Sequence, residues 1–115
     1  MTALPATPGP LAGLRVLDLT LALAGPLCTQ RLGDMGAEII KIEGPSRGDF
    51  TRTAPMRDAW LGGETTPYLS INRNKRSVAI DLKAPKGQAL FLRMVRDADV
   101  VIQNMRPGVA ERLGI

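Results

Sequence analysis

A chain of 115 residues with 15 basic and 11 acidic side chains, a formal charge of +4, has room for one hydrophobic core and a mild preference for anionic partners. Its 44% apolar and 23% charged content is that of an ordinary globular domain, and its 3% aromatic content with one tight basic run, Asn74-Lys75-Arg76, lacks the stacking residues and clustered cations of a nucleic-acid binder. Histidine is absent and Cys28 is the single cysteine, which excludes within this chain a Ser/His/Asp or Cys/His arrangement, a disulfide framework and a histidine or unaided cysteine metal site.

In chain order, residues 1–10 carry Pro5, Pro8 and Pro10, which fix φ and remove backbone donors, so a disordered leader is expected there. This start has neither the basic residues nor the apolar run of a targeting peptide, and no stretch approaches the roughly 18 apolar residues of a membrane span. A cytoplasmic protein with no membrane partner is expected. Leu14–Thr20 reads as a strand covered on both faces. Gly25-Pro26 opens a helix in which Leu27, Arg31, Leu32 and Met35 recur at helical spacing until Gly36 caps it, with Cys28 expected as a buried, inert packing residue. Glu38–Ile42 is the second strand and closes a βαβ unit.

Residues 43–66 hold four glycines and two prolines with no sustained period, a long excursion of the kind that covers a site or wraps a partner. A short helical turn over Pro67–Ile71 and a basic turn over 72–76 lead to a third strand, Ser77–Leu82. Pro85 starts a second helix with Ala89, Leu90, Leu92, Met94 and Val95 on its apolar face, Asp99–Ile102 is the fourth strand, and a further helix begins after Pro107. The alternation predicts an α/β fold: a parallel, Rossmann-like sheet of about four strands with βαβ connections.

In such sheets ligands sit beyond the carboxyl ends of the strands, which places the candidate site among Leu21–Gly25, Glu43–Gly48, Leu82-Lys83 and Gln103–Arg106. The loop after the first strand has one glycine, Gly25, where a dinucleotide fingerprint needs three, and no Gly-Lys-Ser/Thr phosphate loop occurs. Helix starts at Pro26, Pro85 and Pro107 nevertheless offer free amides to an anion, with Arg47, Arg52, Lys83, Arg106 and Arg112 as available cations. Asp18 and Asp81, at strand ends, are candidates for bases or for hydrogen-bonded structural carboxylates.

The runs Leu11–Thr20, Ala24-Gly25-Pro26 and Leu32–Glu43, then Gly48-Asp49 with Arg52, Asn72–Ser77, Asp81-Leu82-Lys83, and Asn104–Gly108 with Arg112-Leu113-Gly114, resemble the opening of the family III coenzyme A transferases of the CaiB/BaiF type. The resemblance spans Leu11 to Ile115 and implies that residues 11–115 are the amino-terminal, coenzyme A-binding part of a larger fold whose homodimers interlock. It implies an enzyme that takes acyl-CoA and a carboxylic acid as substrates and needs no metal. It also implies a downstream aspartate that attacks the thioester, so no catalytic residue is assigned within this chain. A relative that racemises 2-methylacyl-CoA and a non-catalytic coenzyme A-binding module are the alternatives. By motif, the family's cofactor contacts fall on Leu23, Ala24, Ile80, Asp81, Leu82, Lys83, Asn104, Met105, Arg106 and Arg112. Two positions depart from the pattern: Gly44 stands where the family commonly has arginine, and Leu23 where a polar or charged side chain is frequent.

Overall fold

The computed structural model describes residues 8–54 and 59–115, so most of the leader expected over 1–10 lies outside the described residues. Within 8–10, Gly9 sits so close to the turn after the first helix that a Cβ would come within 2.1 Å of the Met35 carbonyl oxygen.

Strand β1 (Arg15–Asp18) leads through helix α1 (Ala24–Asp34) to β2 (Glu38–Glu43). A 3₁₀ turn at Phe50–Arg52 and a small hairpin, β3 (Trp60–Leu61) with β4 (Glu64–Thr65), precede α2 (Thr66–Asn72). The chain continues through β5 (Lys75–Ala79), α3 (Pro85–Arg96), β6 (Val100–Ile102) and α4 (Val109–Leu113). The four longer strands form one parallel sheet in the order β5-β2-β1-β6, as the alternation of elements predicts.

Strand alternation sends successive side chains to opposite faces. Toward α3, Leu17, Leu19, Ile42 and Ile80 close around Phe91, with Met94 and Val95 packed against them. On the α1 side Val16, Ile39 and Ala37 make a smaller cluster with Leu32. Beyond it, toward the carboxyl ends of the strands, that face turns polar: Asp18, Lys41 and Glu43 are all buried.

This polar region accounts for three departures from expectation. Helix α1 buries Pro26, Thr29 and Gln30, while Leu27 and Met35 of the expected apolar stripe are exposed and Leu32 alone of it packs inward. Charged strand residues need hydroxyl and amide partners, so the helix turns its polar side to them. Cys28 is consequently exposed rather than buried. The third strand runs from Lys75 to Ala79 instead of 77–82, because the Lys75 ammonium donates to Asp18 Oδ2 (3.0 Å), Pro26 O (2.9 Å) and Asn72 Oδ1 (2.9 Å), drawing the basic turn into the sheet. On α3, Phe91 is the buried residue, and Leu90 and Leu92 of the expected face are exposed.

Candidate functional site

Strand order makes the crevice. From β1 the chain steps outward to β2 and β5, then returns across the sheet through α3 to place β6 on the other side of β1. Loops leaving β1 and β6 therefore diverge from neighbouring strands, which opens a cleft at their carboxyl ends, the usual ligand position in open α/β sheets. Asn104 holds the two loops at a fixed distance: its Oδ1 accepts from the Leu21 amide (3.0 Å) and its Nδ2 donates to the Leu21 carbonyl (2.8 Å).

A cavity of about 190 Å³ lies at these strand ends, lined on one side by Ile80, Asp81, Leu82 and Lys83 and on the other by Met105 and Leu113. The turn that presents Lys83 is built locally. Asp81 Oδ1 accepts from the Lys83 amide (3.0 Å), the Asp81 carbonyl accepts from Ala84 (3.1 Å), and α3 starts at once with Pro85. Gly87 lets the first turn of α3 approach, since a Cβ there would lie 1.9 Å from the Asp81 carbonyl oxygen. The amino-terminal end of α3, with its unpaired amides, thus flanks the cavity beside Lys83.

Five of the ten residues taken from the resemblance, Ile80, Asp81, Leu82, Lys83 and Met105, share this cavity, and Asn104 clamps its neighbouring loops. Arg106 and Arg112 are exposed near it without lining it; Arg112 belongs to α4, which contributes Leu113. Leu23 and Ala24 lie elsewhere. Ala24 opens α1, and Leu23 lines a second, larger cavity of about 530 Å³ bounded by Phe50 of the 3₁₀ turn and by Pro67 and Ile71 of α2.

Beneath both cavities runs a network of buried ions. The Lys41 ammonium donates to the Thr20 carbonyl (2.8 Å) and lies 3.0 Å from Asp49 Oδ2, with both side chains fully buried. That carboxylate oxygen has no hydrogen-bond partner among the described residues, so the ion pair with Lys41 is what offsets its burial. One cation therefore ties the loop after β1 to the loop after β2. Asp18 accepts from the Thr20 amide (2.9 Å), the Thr20 and Thr29 hydroxyls (2.5 and 2.6 Å) and Lys75 (3.0 Å). Burial pushes the Asp18 carboxyl up, but these donors outweigh it and hold it below the usual carboxylate range. Burial pushes the Lys75 ammonium down more than Asp18 lifts it. Asp18 is thereby a structural carboxylate with its lone pairs engaged, which leaves it unsuited to act as a base.

Glu43 orders the excursion. Its carboxylate receives Arg52 through two bonds (2.9 and 2.6 Å), the Asp49 amide (2.7 Å) and the Ser77 hydroxyl. Burial opposes the charge, yet these bonds hold the carboxyl at about 2. Arg52 also reaches Glu64 (2.6 Å) and covers the Tyr68 ring at 3.9 Å, and Glu43 above all holds the guanidinium above its ordinary value. Burial first, then Glu43, raises the Tyr68 phenol to about 12.

Sequence reasoning missed Lys41, Asp49 and Lys75 as organisers of the site, and Phe50, Pro67 and Ile71 as cavity walls. One signal was present: Lys41 alternates with Ile40 and Ile42 inside a strand, where a charge facing the interior demands a partner. Asp49 and Thr29 carry no such local mark.

A four-stranded parallel sheet with helices α1 and α3 packed on its two faces defines an α/β fold. The chain belongs to CoA-transferase family III, whose sequence profile it matches over residues 11–115. It is 46% identical over 106 residues to human succinyl-CoA:glutarate CoA-transferase, covering 92% of this chain and 24% of that protein. It is 48% identical over 111 residues to acetyl-CoA:oxalate CoA-transferase of Acetobacter aceti, covering 96% and 28%. A crystal structure of a CaiB/BaiF family protein from Brucella suis superposes with a TM-score of 0.86 at 39% identity, covering 95% of this chain and 29% of that one. The chain thus spans about a quarter of the length of the curated relatives it matches.

Proposed function

We propose that residues 11–115 form the coenzyme A-binding part of an acyl-CoA:carboxylate CoA-transferase. The observation that carries this reading is that Ile80–Lys83, after β5, and Met105, after β6, line one cavity at the carboxyl ends of the strands. Lys83 and the α3 amides meet the anionic phosphates, with Arg106 and Arg112 at the rim. Ile80, Leu82 and Met105 supply apolar contact. Leu23 and Ala24, beyond the Asn104 clamp, meet the acyl-bearing end of the thioester.

In the reaction the donor's acyl–sulfur bond breaks and a new one forms to the acceptor's carbonyl carbon. One acceptor carboxylate oxygen ends on the released donor acid, with no net water or redox change. The family resemblance, which implies a nucleophile outside residues 11–115, supports this reading, and Asp18 and Asp49 are engaged in buried ion pairs. Exposed Trp60 and Leu61 of the hairpin suit a homodimer in which further chain covers them. A cytoplasmic location accords with the described residues, which include no helix long and apolar enough to cross a membrane.

Calorimetric titration of the full gene product with coenzyme A tests the reading. Charge-assisted bonds contribute roughly 1.5 to 3 kcal/mol, so Lys83→Ala weakens binding about tenfold to a hundredfold. Arg93→Ala, on the outer side of α3, leaves it unchanged. Equal affinity in the wild type and Lys83→Ala contradicts the assignment.

A further inference from the structure

We propose that Asn104 is a positioning residue: its clamp on Leu21 holds Ala22 in a left-handed conformation that the loop after β1 would not keep on its own. The clamp thereby sets the path of that loop along the crevice. This rests on the transferase reading above. The effect of Asn104 on the cofactor, to which the family resemblance ties it, is then exerted through Leu21.

The pairing of β1 with β6 shows what the clamp replaces. A main-chain bond from the Leu19 amide to the Ile102 carbonyl (2.8 Å) extends the parallel pairing one step past Asp18. Beyond it the two chains part, and the Asn104 side chain spans the gap, accepting from the Leu21 amide at Oδ1 (3.0 Å) and donating to the Leu21 carbonyl from Nδ2 (2.8 Å). One side-chain amide thus supplies the donor and the acceptor that a paired strand would offer. The crevice opens, and Leu21 stays tied to the loop after β6.

The residue after the clamp carries the strain. Ala22 has φ 71°; among the described residues the other non-glycine with positive φ is Asn74, whose side chain tolerates that region. The chain is pinned on both sides of this point. Before it, the Thr20 amide and hydroxyl donate to Asp18, and the Thr20 carbonyl accepts from buried Lys41. After it, the Leu23 carbonyl accepts from the Leu27 amide (2.9 Å) as α1 begins. Between these anchors, the left-handed conformation is disfavoured for alanine by about fivefold to thirtyfold. Two neutral hydrogen bonds favour the clamped loop by roughly fivefold to a hundredfold. The two effects are of one size, so the clamp decides which conformation the loop adopts. A strained residue at the mouth of a binding crevice, held by one side chain, is a device for pre-organisation.

The test is the coenzyme A affinity of the full gene product, measured by calorimetry in wild type, Ala22→Gly, Asn104→Ala and the double variant. Glycine adopts positive φ freely, so Ala22→Gly alone leaves affinity within about twofold of wild type. Asn104→Ala lets Ala22 relax and weakens affinity about fivefold or more. Adding Ala22→Gly to Asn104→Ala recovers about threefold or more of that loss, because the left-handed conformation no longer carries a penalty. A lost contact with the cofactor would not be recovered in this way. Hydrogen exchange in the unliganded protein reports the clamp itself: in Asn104→Ala the Leu21 amide loses protection, while the Thr20 amide, held by Asp18, keeps it. Wild-type affinity in Asn104→Ala, a loss that Ala22→Gly does not relieve, or loss of Thr20 protection together with Leu21 each overturns the inference and leaves the transferase reading intact. A wild type that binds no coenzyme A overturns both.

Discussion

On one face of the sheet Leu17, Leu19 and Ile42 meet Phe91 of α3; on the other, Asp18, Lys41 and Glu43 of the same strands meet Thr29, Lys75, Asp49 and Arg52. The apolar face needs only shape and area. The polar face needs each charge matched, and every match reaches across loops: Lys41 to Thr20 and Asp49, Lys75 to Pro26 and Asn72, Arg52 to Glu64. The first face holds the domain together, and the second fixes the loops that frame the two cavities. The geometry of these loops therefore depends on ion pairs that a purely hydrophobic core would not supply.

Breaking a buried pair by removing one partner exposes this difference most strongly. In the full gene product Lys41→Met leaves Asp49 charged and unpaired, and stability in denaturant falls by about 3 to 5 kcal/mol. Adding Asp49→Asn, which removes the charge and keeps the Oδ1 acceptor for Thr51, recovers part of that loss without restoring the loop tie, so coenzyme A affinity stays reduced. On the apolar face Leu17→Ala lowers stability by about 2 to 5 kcal/mol and has no second-site rescue of this kind.

Acid separates the faces without mutation. The Glu43 carboxyl lies at about 2 in the fold against an ordinary value of 4.5, so its contribution is fully present above pH 4.5 and is lost as pH falls toward 2. That contribution is about 3 kcal/mol, and in Glu43→Gln the fall in stability across this window is shallower, as acid titration followed by circular dichroism would record. The smallest effect concerns Ala22, held at φ 71° in the loop after β1. Ala22→Gly relieves the left-handed strain and raises the melting temperature slightly, by the equivalent of about 1 kcal/mol or less.

The apolar face was legible in the sequence: Leu17, Leu19, Ile40 and Ile42 alternate in two short strands, and Pro85 marks the start of α3. The clamp and turn around Asn104 and Asp81 were legible as strand ends. The inward side of α1 was not, because hydrophobic periodicity favours Leu27 and Met35, whereas burial of Asp18 and Lys41 makes Thr29 and Gln30 the better inner residues. Nor was the order within residues 43–66, since it comes from Glu43 gripping Arg52 and Ser77 at separations that no local pattern records.

The most direct test is a crystal structure of the full gene product with coenzyme A bound. The expected result places phosphate oxygens within hydrogen-bond reach of Lys83 and the first amides of α3, with the chain running past Met105 and Asn104 toward Leu23. Coenzyme A bound away from the β1/β6 crevice, with Lys83 free in solvent, would contradict the assignment.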